Sequence, residues 1–135
     1  MGGISTKKQK KQSIQKDFLS WFEIPSINFD EAVDFYSQIF DIQMKQVVMG
    51  DYLMAFFPAQ GGIGGAIVKG PGSVPNDTGP LLYLNGGKDL GDILNKVPEA
   101  GGRIVLDKTL ISEDAGHFAI FIDTEGNKLA LHSKK

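Results

Sequence analysis

The chain has 135 residues, of which 41% are hydrophobic and 22% charged, which suits one soluble globular domain and is too short for two domains of usual size. It has no cysteine, which excludes disulfides, thiolate catalysis and Cys-ligated metal sites. The formal charge of −2 hides an acidic body, because all 16 acidic residues lie at or after Asp17. Nucleic acid is therefore not an expected partner.

The first 16 residues predict a disordered basic tail. They contain no acid and five lysines, and they are too polar to repay the entropy of ordering. They lack the apolar stretch of a secretory signal, and nothing later approaches the roughly 18 to 20 apolar residues of a membrane span. We therefore expect no membrane partner and a cytoplasmic protein. The lysines are expected to be solvated, with contact to an anionic partner as the alternative.

The first half of the remaining sequence predicts a strand, a helix and three strands. An apolar run is closed by Pro25, and Asn28 with Glu31 forms a helix-start pattern. Apolar residues then recur at helical spacing as far as Phe40. Glycine-containing turns separate the apolar segments that follow. The predicted strands are residues 18–24, 42–48, 51–57 and 64–68.

The second half predicts the same order of elements after a turn-rich linker at residues 69–79. Asp89 is a candidate cap for one helix, and Gly101 with Gly102 ends it. The predicted strands are residues 80–84, 103–111, 116–122 and 128–132.

The two halves can be superimposed as sequences. An offset of 64 residues places Ala66 on Ala130 and matches the flanking apolar strands, and an offset of 60 places the helix end at Asp41 on Gly101. An order of elements that occurs twice indicates an internal repeat. We therefore predict an α+β protein, with residues 17–135 forming one domain of two βαβββ modules at about 18–70 and 79–133.

Short motifs in a particular order run between Phe18 and His132. They are Phe22-Glu23-Ile24-Pro25, Asp30-Glu31-Ala32, Phe35-Tyr36, Ala100-Gly101-Gly102-Arg103, Gly116-His117-Phe118-Ala119 and Asp123-Thr124-Glu125-Gly126-Asn127. This order and spacing resembles the vicinal oxygen chelate superfamily, which includes glyoxalase I, bleomycin-resistance proteins and extradiol dioxygenases. The resemblance implies that the two modules form a concave mixed sheet around a central cleft, and it favours a homodimer.

Many members of that superfamily place one metal ligand, a His, Glu or Gln, on the first and last strand of each module. Carried over to this sequence, those positions are Trp21, Ala66, Leu81 and Ala130, and none of them can coordinate a metal. The resemblance therefore implies a cleft without the usual metal site, and we expect no metal and no cofactor. The fold alone does not identify an enzyme.

Strand alternation identifies the candidate polar residues of the cleft. If Trp21 faces the cleft, Glu23 does too, and if Ala130 faces it, so does His132. Glu23 is a candidate catalytic base or a ligand contact, with pairing to a nearby Lys or to a backbone amide at the cleft rim as the alternative. His132 and His117 are candidate ligand contacts, with solvation as the alternative for both.

Aromatic and small residues supply the candidate walls. Trp21 and Phe56 are predicted ligand contacts, although aromatic residues at such positions often belong to the core. Ala66, Leu81 and Ala130 would leave room opposite them for a small apolar or aromatic molecule.

Three functional hypotheses follow. The leading one is a member of the superfamily that binds a small organic molecule without a metal. The second is a lyase or isomerase that uses Glu23 as base, with or without a divalent metal held by Glu23 and His132. The third is an interaction domain in which Trp21 fills the cleft and the sheet edges pair with another copy.

Overall fold

A computed structural model describes residues 14–135. Most of the predicted basic tail, residues 1–13, lies outside the described residues. Residues 14–20 form no helix or strand. Phe18 and Leu19, which the apolar pattern assigned to the first strand, are exposed and precede it.

The first module contains one helix and a four-stranded mixed sheet. The strand order is β1-β4-β3-β2, with β1 parallel to β4 and the other neighbours antiparallel. Pro25 lies within β1, an edge strand, where a residue without an N–H is tolerated. The elements are β1 (Trp21–Pro25), α1 (Phe29–Phe40), β2 (Lys45–Met49), β3 (Tyr52–Phe56) and β4 (Gly64–Lys69).

The second module repeats this arrangement in a second four-stranded sheet. The strand order is β5-β8-β7-β6, and β5 is parallel to β8. The predicted α+β fold of two βαβββ modules is confirmed. The elements are β5 (Tyr83–Asn85), α2 (Gly91–Leu94), α3 (Val97–Ala100), β6 (Arg103–Ser112), β7 (Gly116–Ile122) and β8 (Lys128–Ser133).

Helix α1 begins and ends as its sequence predicts. The Asn28 side chain accepts a hydrogen bond from the backbone N–H of Glu31 at 3.2 Å, which satisfies one of the free amides of the first turn. The helix ends at Asp41, which has a φ of 54° in the left-handed region. Gly101 ends α3 with a φ of 107°, so both positions paired by the 60-residue offset are left-handed helix caps.

The strand registers confirm the repeat. Glu23 pairs with Ala66 in the first sheet, and Tyr83 pairs with Ala130 in the second. The offset of 60 residues leads from Glu23 to Tyr83, and the offset of 64 residues leads from Ala66 to Ala130. The internal similarity seen in the sequence therefore corresponds to the same hydrogen-bonded ladder built twice.

The second module departs from the prediction at its helix. One helix starting after Asp89 was expected, but α2 and α3 are separate four-residue helices. Pro98 is the second residue of α3, and because proline lacks an N–H it suits the first turn of a helix and not a helix interior. Leu90 is the N-cap of α2, while the Asp89 carboxylate accepts from the N–H of Gly91 at 2.8 Å.

The two modules share one hydrophobic core. A single cluster of buried apolar side chains includes Ile24 and Ile67 from the first module and Leu131 from the second. Helix α1 joins the halves, because Phe35 packs against Phe121 of β7 with ring centroids 6.0 Å apart. None of the helices within residues 14–135 is long and apolar enough to cross a membrane.

Candidate functional site

One face of the first sheet carries most of the predicted site residues. Ile24, Ala55 and Ile67 point into the core, so their neighbours along each strand point to the opposite face. Glu23 and Phe56 flank Ala66 in the paired register and therefore share that opposite face. The small, fully buried Ala66 side chain lies between them.

A cavity of about 650 Å³ lies on this face, and we call it the first-sheet cavity. Its walls come from β1, β2, β3 and β4 and from the turn after β4. Trp21, Glu23 and Phe56, all predicted from the sequence, line it together. The lining residues are Trp21, Glu23, Met49, Tyr52, Met54, Phe56, Val68, Pro71, Gly72 and Ser73.

The Trp21 ring is held in place on three sides. Its centroid lies 5.9 Å from that of Phe56 in an edge-to-face arrangement at 64°. Its Nε1–H donates to the Glu23 carboxylate at 3.3 Å. The ring also covers Gly64, where an added Cβ would lie 3.1 Å from ring carbon Cζ3. Trp21 nevertheless remains 43% exposed, so part of it is accessible to a ligand.

Tyr52 forms a second fixed wall. Its hydroxyl donates to the carbonyl of Pro71 at 2.8 Å. Its ring lies against Gly70, where a Cβ would be only 2.2 Å from ring carbon Cδ1, so this contact requires glycine. Pro71 and Ser73 were assigned from the sequence to the linker alone. The turn-forming residues around Gly70 predicted a bend in the chain. They did not predict that this bend packs beside β3.

Among residues 14–135, Glu23 is the one charged residue that lines the first-sheet cavity. The hydrogen bond from Trp21 orients its carboxylate. Among residues 14–135 the ion pair is Lys108–Asp89, which lies in the second module. The sequence left open that Glu23 forms an ion pair with a lysine at the rim of the cleft. Within the described residues no such ion pair is formed.

Glu23 also borders a second cavity of about 570 Å³ between the modules, which we call the inter-module cavity. Leu81, a predicted ligand contact, lies there and not in the first-sheet cavity. Because β5 begins at Tyr83, Leu81 precedes the strand to which the sequence assigned it. The lining residues are Leu19, Phe22, Glu23, Ile24, Pro25, Asn76, Thr78, Gly79, Pro80, Leu81, Leu82, Tyr83, Asn127, Lys128 and Leu129.

The candidate site residues of the second sheet do not line the first-sheet cavity. Ala130 is fully buried and pairs with Tyr83. His132 lines a third cavity of about 580 Å³ together with Tyr83 and Asn85. Its Nε2–H donates to the carbonyl of Ala115 at 2.6 Å, which fixes the ring. The hypothetical pair of Glu23 and His132 is thus divided between different cavities.

His117 lies on the helix side of β7. It pairs with Ser133, whose hydroxyl accepts from the backbone N–H of Leu90 beside α2. The Nδ1 atom of His117 is buried and has no hydrogen-bond partner among the described residues. His117 lines none of the three cavities above.

The carboxyl group of Asp89, in the second module, has a lowered pKa. The main cause is the hydrogen bond from the backbone N–H of Gly91, and Lys108 at 2.9 Å and His117 contribute further. The Asp89 side chain is about half-exposed at the protein surface. Its role is local: its carboxylate accepts a hydrogen bond from the backbone at the start of α2.

A buried polar network connects the modules near the site. Tyr36 of α1 donates to Asp123 Oδ2 at 2.7 Å, and Asp123 Oδ1 accepts from the N–H groups of Glu125 and Asn127. Burial raises the pKa of Tyr36 well above its usual value, and the charge of Asp123 adds to the effect.

The turn between β7 and β8 extends this network to β1. The Asn127 amide donates to the carbonyl of Pro25 at 2.8 Å and accepts from the N–H of Asn76 at 3.0 Å. Glu125 accepts hydrogen bonds from the N–H groups of Ile27 and Asn28. The strand that carries Trp21 and Glu23 is therefore fixed by a loop of the other module.

The residues present do not fit a superfamily metal site. An indole, a leucine and two alanine methyl groups stand at the four carried-over ligand positions, and they offer no suitable donor. Within residues 14–135 no group of three or more His, Asp or Glu side chains is placed to hold a metal ion.

Comparison with known proteins assigns the fold. The family model described as Glyoxalase/Bleomycin resistance protein/Dioxygenase superfamily matches residues 19–131. No curated protein matches the chain.

Three solved structures illustrate the likeness of the fold. A glyoxalase/bleomycin resistance protein/dioxygenase domain from Frankia sp. EAN1pec has a TM-score of 0.65 at 14% identity, covering 91% of this chain and 100% of its own. A glyoxalase/bleomycin resistance protein from Albidiferax ferrireducens T118 has a TM-score of 0.63 at 12% identity, covering 88% and 100%. TnmS3, described as an antibiotic binding protein from Streptomyces sp. CB03234, has a TM-score of 0.58 at 20% identity, covering 91% and 100%.

Proposed function

The chain belongs to the Glyoxalase/Bleomycin resistance protein/Dioxygenase superfamily, and from that premise we propose that it binds a small organic molecule in the first-sheet cavity. The observation that carries the proposal is the joint placement of Trp21, Glu23 and Phe56 on the walls of one cavity. Its volume of about 650 Å³ falls within the range of small-molecule sites.

The fixed walls support binding. Trp21 is positioned by Phe56 and Glu23, and Tyr52 by Pro71. Side chains that are already ordered lose little conformational entropy when a ligand arrives, so more of the contact energy contributes to affinity. TnmS3 shares the fold and is described as an antibiotic binding protein, which favours binding as the starting hypothesis.

The only tryptophan of the chain provides the assay. Because Trp21 lines the cavity, a ligand that enters should change its fluorescence. We expect saturable changes with members of a library of aromatic natural products and antibiotics. Phe56→Leu should weaken the affinity of a binding compound about tenfold, since it removes an aromatic wall. Phe118→Leu, on the second sheet, is the matched control and should leave the affinity unchanged.

Two results would count against the proposal. One is a library without any saturable fluorescence change. The other is an equal loss of affinity in the Phe56→Leu and Phe118→Leu variants, which would locate the ligand outside the first-sheet cavity.

The same compounds test the hypothesis that Glu23 is a catalytic base. Its carboxylate borders two cavities, so it can meet a ligand from either side. Mass spectrometry of a bound compound after incubation should show unchanged compound if the protein only binds. Turnover that is lost in Glu23→Gln, with binding retained, would instead establish a lyase or isomerase.

The proposal includes a cytoplasmic homodimer. Several apolar side chains of the second-sheet edge strand β6 are exposed, among them Val105, Leu110 and Ile111, and such edges favour pairing. Sedimentation equilibrium should give twice the chain mass of 14.7 kDa, and a monomer would refute the dimer. Fractionation of the native cells would test the compartment, and recovery with membranes or outside the cell would refute it.

A further inference from the structure

The first-sheet cavity has an uneven distribution of charge. Of the ten described residues that line it, Glu23 is acidic and none is Lys, Arg or His. The acid is also not neutralised by an ion pair within residues 14–135. A ligand with a negative charge would approach this carboxylate without any compensating cation in the lining.

Five of the nine other lining residues carry an aromatic ring or a thioether. Trp21 and Tyr52 are 43% and 37% exposed, so their rings are not completely covered by protein. The face of an aromatic ring is electron-rich and attracts a cation, with tryptophan the strongest of the three ring types. Met49 and Met54 add polarisable sulfur at the same cavity.

The nearest lysines of the sheet lie outside this lining. Lys69 follows Val68 on β4 and therefore points to the opposite face. Lys45 pairs with Phe56 and so shares its face of the sheet, but it is exposed at the end of the edge strand β2 and does not line the cavity. The sheet thus leaves the negative charge and the ring faces available to a ligand.

From these observations we propose that the first-sheet cavity selects an organic cation, a quaternary ammonium or protonated amine attached to an apolar or aromatic body. The cationic group contacts the Glu23 carboxylate and the faces of Trp21 and Tyr52, and the apolar body packs on Phe56 and the methionines. This inference rests on the proposed function and specifies its ligand class.

The second module shows that the fold does not require this combination. The repeat offsets place Leu81 at the position of Trp21, Tyr83 at that of Glu23, and Ile120 at that of Phe56. The same ladder is therefore built without a carboxylate or an indole. Their joint presence in the first module is specific to that sheet face and is consistent with a ligand of positive charge.

Three probes of similar size and different charge test the inference. They are benzyltrimethylammonium, the neutral 2-methyl-1-phenylpropan-2-ol and the anionic 3-phenylpropionate. Titration of Trp21 fluorescence, repeated by calorimetry, should show the cation binding about tenfold more tightly than the alcohol, as expected for a cation at aromatic faces. The anion should show no saturable binding.

Variants of the lining residues test whether the preference for the cation arises in the first-sheet cavity. Glu23→Gln removes the charge but keeps the shape, and it should reduce the ratio of cation to alcohol affinity about fivefold or more. Tyr52→Leu should also lower the ratio, because leucine retains apolar area without a ring face. Asp51→Asn is the control, since this exposed carboxylate lies in the turn between β2 and β3 and does not line the cavity.

The outcomes separate this inference from the proposed function. Equal affinity for cation and alcohol, stronger binding of the anion, or an unchanged ratio in Glu23→Gln would overturn the cation selectivity and leave a neutral or anionic ligand for the same cavity. Failure of all three probes to bind would also overturn it. The proposed function itself fails if the wider library also produces no change in Trp21 fluorescence, or if Phe56→Leu and Phe118→Leu lose affinity equally.

Discussion

Tyr36 shows how a single side chain links the two modules. Its ring is fully buried on α1, and its hydroxyl reaches Asp123 of the second module. A buried carboxylate needs such donors, and a hydrogen bond to a charged group contributes more than a neutral one. The contact therefore stabilises both the position of α1 and the charge of Asp123.

We predict that Tyr36→Phe lowers the free energy of unfolding at pH 7 by about 1.5–3 kcal/mol. The native protein should also lose stability above pH ~10, where an unfolded tyrosine releases its proton while the raised pKa of folded Tyr36 retains it. This alkaline loss should be smaller in the variant. Urea unfolding between pH 7 and 11 measures both effects.

Tyr83→Phe is the control for that experiment, because Tyr83 is half-exposed. Equal alkaline loss in the native protein and in Tyr36→Phe would contradict the role given to Tyr36.

The turn between β7 and β8 acts as a connector at the level of elements. Asn127 joins it to Pro25 of β1 and to Asn76 of the segment between the modules. Asn127 and Asn76 also line the inter-module cavity. The turn therefore determines where β1, and with it the first-sheet cavity, lies relative to the second sheet.

We expect Asn127→Ala to reduce stability by about 1–3 kcal/mol, because the carbonyl of Pro25 and the N–H of Asn76 lose the side chain to which they are hydrogen-bonded. The amide of Asn76 should exchange with solvent faster, since its acceptor is lost. Thermal unfolding and hydrogen exchange measure these changes. Asn85→Ala, which removes only a local bond to the N–H of Gly87, is the control. A comparable loss of stability in the control would contradict the prediction.

At the scale of the whole molecule, the shared core argues for one folding unit. Apolar residues of both sheets belong to one cluster, and α1 contacts the second module through Phe35. Neither module can cover its apolar surface alone. We therefore propose that residues 17–135 form one domain in which the modules at about 18–70 and 79–133 depend on each other.

This proposal predicts a single unfolding transition. Trp21 reports on the first module, whereas far-UV circular dichroism reports on both, and the two curves should coincide if unfolding is cooperative. A first transition seen by Trp21 fluorescence alone, followed by a second seen by dichroism, would show that the modules unfold separately.

The features that depend on local pattern could be predicted from the sequence. The cap at Asn28, the helix ends near Phe40 and Gly101, and the shared face of Trp21 and Glu23 each depend on residues a few positions apart. The family motifs predicted the superfamily correctly. The prediction of a single helix after Asp89 was wrong, because this segment forms two short helices and Pro98 lies in the first turn of the second.

The repeat, the strand faces and the residue types available for a site therefore follow from patterns in the sequence. Which of these residues meet depends on the tertiary packing. It brings the turn at Pro71 beside Tyr52, places Leu81 in the inter-module cavity and separates His132 from Glu23. The physical reason is that strand alternation acts over two residues, whereas these distances depend on how loops and sheets far apart in the chain pack around a common core.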